Sequence, residues 1–361
     1  MKTRAYNFGA GPAMLPEAIL LEAQKELLNW NGLGMSVMEI GHRTAPFQDL
    51  MRALEADLRE LISIPEDFDV LFLGGAARTQ FSMVPLNLLN PGEQGGYLIS
   101  GIWSSLAYQE ACKLKQAYCV ASSESTHFTD IPQVSDYHFK KNTAYLFYTP
   151  NETINGVRFN HVPKTNGLPL IADMTSCLLS EPIDVTDYDL IFAGAQKNIS
   201  IAGLTIVIVR RALLKQLQKP IPTMLDYQTH IVNHSSYATP PTFNCYLAKK
   251  MFGWIQSQGG VNALYQINCQ KAAMLYQYLD ASSFYCTSVE PQARSIVNVC
   301  FSLARPELEG EFLTRANQKG LCALQGHRTV GGLRASLYNA MPLSGVEALV
   351  KFMRDFSEEF H

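Results

Sequence analysis

Short, almost continuously apolar runs that recur through the first two thirds of the chain constrain its fold more than any other feature. They lie at 70–73, 96–100, 144–148, 170–172, 190–193 and 204–209. Helical or irregular stretches separate several of them. Strands that are apolar on both faces are typical of a sheet covered by helices on both sides. The runs therefore predict an α/β domain.

A second, smaller domain is predicted after Gly259-Gly260, which marks a boundary. Beyond it we predict helices at 262–280, 306–319 and 344–359, and strands at 295–303 and 330–338. Before it we predict helices at 16–30, 47–62, 79–89 and 244–258. Helices and strands of this spacing make a compact α+β unit of ordinary domain size. We expect a large domain at 16–258 and a small domain made of 1–15 and 259–361.

Composition excludes several classes of protein. Lys plus Arg is 29 and Asp plus Glu is 32, with no basic stripe, so we expect no nucleic-acid partner. The longest apolar run, 204–209, is too short to span a bilayer. The first residues lack the apolar segment of a signal peptide. The eight cysteines show no CxxC pair and no metal spacing. We expect a cytoplasmic protein with reduced thiols, no metal and no membrane contact.

The segment 189–198, DLIFAGAQKN, is the most informative for chemistry. A buried strand is predicted to end in Ala193-Gly194-Ala195, small residues that allow close approach to the backbone. Lys197 follows at once. A buried lysine is costly unless it is paired or used chemically. One use is a Schiff base, which needs an amine of lowered pKa. The alternative is a strand-end lysine whose ammonium reaches solvent.

Asp173 ends the preceding predicted strand, 170–172. It precedes Lys197 by about the length of one strand–crossover–strand unit. A carboxylate at that position would pair with a protonated ring nitrogen, the pairing that makes pyridoxal phosphate an electron sink. The alternative for Asp173 alone is a helix N-cap.

Three further segments are candidates for holding such a cofactor. Gly74-Gly75-Ala76-Ala77-Arg78 lies between a predicted strand and a helix, where backbone N–H groups bind phosphate and Arg78 adds a charge-assisted contact. Trp103 would stack on a flat ring, and Thr153 would bond a ring hydroxyl. The alternatives are an ordinary tight turn, core packing and a turn threonine.

Two cationic clusters point to an anionic substrate. Gly41-His42-Arg43 lies in a predicted loop, and His327-Arg328 and Arg334 flank Gly331-Gly332. Arginine beside glycine near a strand end suits bidentate capture of carboxylate or phosphate. A lone arginine in such a place is more often a surface ion-pair residue.

Together these residues resemble the phosphoserine aminotransferase family, class V pyridoxal-phosphate enzymes of the aspartate-aminotransferase fold type. The similarity covers nearly the whole chain. The matching segments are 11–16, 36–39 with 42–43, 150–154, 194–198, 203–209, 239–243, 326–328 and 338–342. The resemblance implies fold type I, with a mostly parallel seven-stranded sheet covered by helices in the large domain and a smaller α+β domain.

The resemblance also implies roles for particular positions. Lys197 would form the Schiff base and Asp173 would hold the protonated pyridine nitrogen. Thr153 would bond the ring hydroxyl, and Trp103 would stack on the ring. The cofactor phosphate would be held by Ala77, Arg78 and Gln196, and by Thr239 of a neighbouring subunit. The substrate's phosphate and carboxylates would be held by His42, Arg43, His327, Arg328 and Arg334.

The function implied is transfer of the amino group of L-glutamate to 3-phosphohydroxypyruvate, which gives O-phospho-L-serine and 2-oxoglutarate in serine biosynthesis. The phosphorylated hydroxythreonine of vitamin B6 synthesis is a second expected substrate, and a homodimer is the expected assembly. Alternatives of the same fold are a small-amino-acid aminotransferase, a cysteine desulfurase and a non-catalytic cofactor-binding protein. A nicotinamide dehydrogenase would need a complete dinucleotide fingerprint, which 9–12 lacks.

Overall fold

The computed structural model describes residues 4–214, 217–218 and 220–360. Residues 1–3 and 361 of the predicted small domain, and 215, 216 and 219 of the predicted large domain, lie outside the described residues. The domain division stays a prediction. Within the described residues no helix is both long and apolar enough to cross a bilayer.

The described part of the chain contains the following α-helices: α1 (Glu17–Glu26), α2 (Ala45–Ile62), α3 (Gln80–Leu88), α4 (Ile102–Leu114), α5 (Tyr227–Val232), α6 (Thr242–Ser257), α7 (Gly260–Ala281), α8 (Glu309–Gln318) and α9 (Leu343–Phe360). Its strands are β1 (Tyr6–Asn7), β2 (Phe68–Gly74), β3 (Gln94–Ile99), β4 (Ala117–Ser122), β5 (Thr143–Tyr148), β6 (Asn151–Glu152), β7 (Val157–Arg158), β8 (Leu170–Asp173), β9 (Leu190–Gly194), β10 (Leu204–Arg210), β11 (Tyr285–Cys286), β12 (Asn298–Leu303), β13 (Leu321–Cys322) and β14 (Leu333–Ser336).

The central element is a seven-stranded sheet of order β2-β10-β9-β8-β5-β3-β4. The pairs β9-β8, β8-β5, β5-β3 and β3-β4 are parallel. Strand β10 is antiparallel to both of its neighbours, β2 and β9. The predicted seven-stranded, mostly parallel sheet is therefore confirmed. Because β2 and β9 both oppose β10, they run in the same direction, and β2 ends at the same sheet edge as the parallel strands.

Helices cover both faces of this sheet, as the apolar runs predict. Along β10, Ile206 and Ile208 join the core on the face of α2 and α6. Val207 and Val209 join the core on the other face, with α3 and α4. All four side chains are fully buried, and each such side chain contributes about 1.5–3 kcal/mol to folding. A strand buried on both faces must be almost entirely apolar, which explains the runs.

A second core lies beyond the central sheet. Strands β11, β12 and β14 form an antiparallel sheet, and α7, α8 and α9 pack in its core. Strand β1 near the N-terminus pairs in parallel with β13. Phe8 lies in the same core. The N-terminal segment thus packs with the C-terminal part of the chain.

Several predicted boundaries were wrong. The helix predicted at 16–30 ends at Glu26, and Leu28 is 84% exposed, so part of its apolar pattern faces no core in this chain. The helix predicted at 306–319 begins as a 3-10 turn before α8. The strand predicted at 330–338 shortens to β14, because Gly331 and Gly332 adopt positive φ. Neither β4 nor the β6–β7 hairpin was predicted.

Candidate active site

The loops that carry the predicted site residues follow the carboxyl ends of strands at one edge of the sheet. Asp173 ends β8, and Lys197 follows β9. These strands are parallel neighbours, with Asp173 opposite Phe192. The loops after β2, β3 and β5 reach the same edge. Ligands of open α/β sheets bind in the crevice at this edge.

One cavity of about 300 Å³ lies at this edge, within the size range of small-molecule sites (about 300–1,000 Å³). Seven predicted residues line it: Ala77, Arg78, Trp103, Thr153, Asp173, Gln196 and Lys197. They come from five separate segments of the chain. The fold therefore assembles seven of the eight predicted cofactor residues in one place, all but Thr239.

Lys197 is buried beside this cavity, with 6% of its surface exposed. Within the described residues its ammonium has one hydrogen-bond acceptor, the hydroxyl of Thr153. Burial lowers its pKa to about 8, the negative charge of Asp173 opposes that shift, and the positive charge of Arg334 adds to it. A lysine in this state supplies far more neutral, nucleophilic amine near neutral pH than an exposed lysine does.

The carboxylate of Asp173 is oriented by Thr175, two residues further along the chain. Its Oδ1 accepts a hydrogen bond of 3.0 Å from the Thr175 backbone N–H, and Thr175 Oγ1 accepts one of 3.1 Å from Gly194 N. Burial raises the pKa of Asp173, while the bonds from Thr175 and the charge of Lys197 lower it. The carboxylate thus faces the cavity with a fixed orientation and a free oxygen lone pair for a cationic partner.

The predicted phosphate-binding segment forms a turn whose residues Ala76, Ala77 and Arg78 line the same cavity. Gly75 has a φ of +121°, and a 3-10 turn from Ala77 to Thr79 follows, with no side chain capping it. The backbone N–H groups of such an uncapped turn suit an anion. A Cβ at Gly194 would lie 2.5 Å from Gln196 Oε1, so only glycine lets the Gln196 side chain fold back beside this turn.

Two residues that line the cavity each have a polar side-chain atom without a hydrogen-bond partner among the described residues. These atoms are Trp103 Nε1 and Thr149 Oγ1, and both are buried. The Arg78 guanidinium carbon lies 5.1 Å from the centre of the Trp103 ring. Buried polar groups are almost always hydrogen-bonded, so these atoms indicate that the cavity holds a polar ligand.

Arg334 lies beside the cavity without being part of its lining. Its Nη1 donates to the Thr153 carbonyl at 3.4 Å, and its buried Nε has no partner among the described residues. His327 lies near it: burial lowers the pKa of His327, and the charges of Arg334 and Arg328 lower it further. A Cβ at Gly326 would lie 2.1 Å from the Gly331 carbonyl, so only glycine allows this loop to close.

Six predicted residues do not line the cavity of their own chain: Arg334, His327 and Arg328 near it, and His42, Arg43 and Thr239 in another part of the fold. Arg43 and Thr239 are exposed, and His42 is half-buried. Thr239 lines a separate cavity of about 190 Å³ that shares Ala76 with the first. Gln48 Nε2 donates to the His42 carbonyl at 2.6 Å and lies 3.4 Å from Ser236 Oγ. The His42-Arg43 loop therefore lies next to the segment that leads to Thr239.

Sequence reasoning gave no role to two polar residues of the loop after β5. Thr149 lines the cavity, and the fully buried Glu152 accepts hydrogen bonds from the first turn of α4. Burial raises the pKa of Glu152 to about 7, against the lowering effect of those bonds. The run of polar residues directly after the buried strand β5 could have indicated both residues.

A buried lysine and a carboxylate at the ends of neighbouring parallel strands suit a transferase of the aminotransferase type. Residues 5–349 match the model of the family described as aminotransferase class-V. Among the described residues, no cluster of histidine, cysteine and acidic side chains is placed to hold a metal ion.

Relatives of known identity narrow this class. The chain is 61% identical over 360 residues to the phosphoserine aminotransferase of Legionella pneumophila strain Lens, covering 99% of each chain. It superposes on phosphoserine aminotransferase from Bacillus circulans subsp. alkalophilus with a TM-score of 0.97, at 43% identity over 99% of each chain. It also matches the PLP-bound phosphoserine aminotransferase of Trichomonas vaginalis, with a TM-score of 0.94 and 36% identity over 97% of this chain and 100% of that one. The chain belongs to the phosphoserine aminotransferase family of the class-V aminotransferases.

Proposed function

We propose that this chain is an enzyme that transfers the amino group of L-glutamate to 3-phosphohydroxypyruvate, forming 2-oxoglutarate and O-phospho-L-serine. The observation that carries the proposal is the placement of Lys197 and Asp173 on neighbouring strand ends in one cavity. The free Arg334 Nε and the cationic 327–334 loop support an anionic substrate.

The residues present fit pyridoxal 5'-phosphate as the cofactor. The uncapped turn at Ala77–Thr79 suits its phosphate, and the unpartnered Thr149 hydroxyl and Trp103 indole N–H suit a polar ligand between the turn and Lys197. The acceptor Asp173 suits a protonated ring nitrogen. When bound, the cofactor supplies an electron sink for the electron pair left when the substrate's α-C–H bond breaks.

Lys197 would do two things in this site. Its neutral amine, favoured by the lowered pKa, would hold the cofactor aldehyde between reactions. Its Nζ would also remove the α-proton of the amino-acid substrate. When the second substrate accepts the amino group, Nζ would return a proton to the α-carbon of the new amino acid. The Thr153 hydroxyl, in contact with Nζ, orients the amine.

Asp173 would keep the proton on the cofactor ring nitrogen. Its carboxylate is buried, and the Thr175 N–H fixes its orientation. A buried carboxylate is stabilised by a facing cation and in turn stabilises it. Ala77, Arg78, Gln196 and Trp103 would hold the remaining cofactor groups, as their place in the cavity supports.

Arg334, His327 and Arg328 would bind the carboxylate and phosphate groups of the substrates. Charge-assisted hydrogen bonds of arginine to carboxylate and phosphate are short and strong. Arg328→Ala should raise the KM for 3-phosphohydroxypyruvate about 10- to 100-fold, the worth of one such bond. The same rise confined to glutamate would reverse the proposed orientation of the substrates.

Steady-state kinetics with product identification test the proposal. Glutamate and 3-phosphohydroxypyruvate should give O-phosphoserine and 2-oxoglutarate in equal amounts, and double-reciprocal plots at several glutamate concentrations should be parallel. Release of sulfide or alanine from cysteine instead would show a desulfurase. Intersecting lines would contradict a mechanism in two separate half-reactions.

We propose a homodimer whose active sites are shared. His42, Arg43 and Thr239 lie together away from the cavity of their own chain. Three exposed apolar side chains lie shortly before His42 in the sequence: Leu28, Met35 and Met38. A two-fold arrangement would cover these side chains and bring the three polar residues to the partner's cavity.

Mixing two inactive variants tests the shared site. After random subunit exchange between Lys197→Ala and Arg43→Ala chains, hybrid dimers carry one intact site, and activity should return to about a quarter of the wild-type value. Activity no higher than that of Arg43→Ala alone would show that each chain supplies its own Arg43.

Two finer proposals complete this function. The same cations would accept the phosphorylated hydroxythreonine of vitamin B6 synthesis, and the kcat/KM for that substrate in the same assay decides whether it is used. A cytoplasmic location is supported by the free state of the eight cysteines, since disulfides are rare there. Cell fractionation with an antibody against this chain tests the location.

A further inference from the structure

The first turn of α4, which carries Trp103, is capped by side chains from a different part of the chain. Ile102 N donates to Asn155 Oδ1 at 3.1 Å. Trp103 N donates to Glu152 Oε2 at 2.9 Å, and Ser104 N donates to Glu152 Oε1 at 2.8 Å. Both acceptors come from the β6–β7 hairpin. The N–H groups that open a helix have no intrahelical partner, so the hairpin supplies those partners here.

The approach of Glu152 to this turn is built into the backbone. A Cβ at Gly101 would lie 2.5 Å from Glu152 Cδ, so no larger residue leaves room for the carboxylate there. The Ser104 hydroxyl donates a further bond of 2.6 Å to Glu152 Oε1. Three donors therefore converge on two carboxylate oxygens, an arrangement that suits the ionised form.

The same hairpin also contacts two other groups at the cavity. Thr153 directly follows Glu152, and its hydroxyl accepts the bond from Lys197. The Thr153 carbonyl accepts from Arg334 Nη1 at 3.4 Å. The β6–β7 hairpin therefore contacts three residues of the site: Trp103, proposed to stack on the ring, Lys197, which carries the amine, and Arg334, proposed to bind the substrate.

We propose that Glu152 is a positioning residue: its carboxyl group holds the first turn of α4 against the β6–β7 hairpin and so fixes Trp103 relative to Thr153 and Lys197. The positive end of the helix favours a carboxylate at this place. Glu152 itself reaches the cavity only through these neighbours. The inference rests on the proposed cofactor where it concerns ring binding, and on the chain alone where it concerns Trp103.

Glu152→Gln tests the proposal at nearly constant volume. The amide offers one oxygen, and its NH₂ group would face a backbone N–H donor, so at least one cap is lost. We would measure acrylamide quenching of Trp103 fluorescence in the cofactor-free protein, taking the Trp103 signal as the difference from the matching Trp103→Phe protein. Quenching should rise at least about twofold, as the loss of a helix cap predicts.

A second readout uses the loaded protein. The half-life for release of pyridoxal phosphate should shorten in Glu152→Gln, and the visible band should shift, because Trp103 and Thr153 no longer hold a fixed relation. Unchanged Trp103 quenching and unchanged cofactor release in a folded variant would overturn the proposal. If wild-type protein bound no cofactor, the proposed function would fail while the quenching result stood.

Glu181→Gln is the matched control. Glu181 is a part-buried carboxylate that contacts the same hairpin at Arg158 and does not cap α4. It should leave Trp103 quenching near the wild-type value, and an equal rise would show general loosening of the hairpin instead. If Glu152→Gln does not fold, Glu152→Asp decides: it keeps the charge but is one methylene too short, and wild-type behaviour would overturn the proposal.

Discussion

Two lysines among the described residues are buried, and they differ in what surrounds the ammonium group. Lys271 on α7 is fully buried, and its Nζ donates to the carbonyls of Leu337, Tyr338 and Met341 at 2.8–3.0 Å. Lys197 is almost as deeply buried but has the Thr153 hydroxyl as its acceptor among the described residues. Lys197 also adjoins a cavity and a carboxylate, Asp173.

The pKa does not separate these two lysines. Burial lowers the pKa of Lys197 to about 8 and that of Lys271 to about 7. What differs is the number of acceptors: three at Lys271, which match the three donors of an ammonium, and one at Lys197. A buried lysine with every donor used stabilises the fold, whereas one with unused donors beside a cavity is available for chemistry.

Replacing Lys197 should give the largest effect on activity. Lys197→Ala removes the amine that holds the cofactor and moves the α-proton, so kcat should fall by at least about 10⁴-fold, and the visible absorption band should be lost. The melting temperature of the cofactor-free protein should change little, since Thr153 is the one hydrogen-bond acceptor of Nζ among the described residues. Turnover and the spectrum are the measurements. The control is Lys250→Ala, which removes a half-buried lysine paired with Glu22 and Glu26 outside the cavity. A yellow, active Lys197→Ala protein would refute the assignment.

Replacing the carboxylate beside Lys197 should have the next largest effect. Asp173→Asn keeps the shape but removes the negative charge, so kcat should fall about 10²- to 10³-fold, the scale of losing one preorganised electrostatic group. The ratio of kcat values and the pH dependence of the visible band measure it. Asp184→Asn, an exposed carboxylate that caps a 3-10 turn, should leave both near wild type. Equal losses in the two variants would contradict a special role for Asp173.

Replacing Lys271 should affect stability rather than chemistry. Lys271→Met leaves three buried carbonyls without donors, and unfolding free energy should fall by about 3 kcal/mol or more. The segment 337–341 that those carbonyls belong to should exchange its amide hydrogens faster. Urea unfolding and hydrogen exchange measure this, and the folded fraction should still show the visible band. Loss of the band with unchanged stability would reverse the roles of the two lysines.

The smallest effect concerns the rate at which the cofactor-free protein takes up pyridoxal phosphate. Only neutral amine attacks the aldehyde, so the rate should rise about tenfold per pH unit up to about pH 8 and level off above it. Borohydride reduction and peptide mapping should place the label on Lys197 and none on Lys271. A rate that still climbs at pH 10 would indicate an unperturbed lysine.

Much of the fold was predictable because a strand that is buried on both faces has a nearly continuous apolar sequence, which is easy to recognise. The run 190–193 is apolar at every position, and 204–209 is apolar except at Thr205; they became β9 and β10. The seven-stranded count and the mostly parallel direction came from the resemblance. The order of the strands was not predicted, because periodicity carries no information on which strands pair. Strand β4 was missed because it is a short edge strand, AYCVAS, with exposed and half-buried positions.

Site residues could be predicted from the sequence where a charged residue directly follows an apolar strand. Lys197 and Asp173 follow apolar strands at once, so their types and places identified them. Glu152 was missed because its partners, Trp103 N and Ser104 N, are backbone groups of a distant segment, and no local pattern records such a contact. Arg43 and Thr239 could be related to the cavity only through the family, since their own chain does not bring them there.

The visible absorption spectrum of the purified protein tests the central claim most directly. The cofactor bound at Lys197 should give a yellow band that disappears when L-glutamate is added and returns when 3-phosphohydroxypyruvate follows. Both changes should be absent in Lys197→Ala. A protein that stays colourless after incubation with pyridoxal phosphate, or a band that glutamate does not change, would contradict the account.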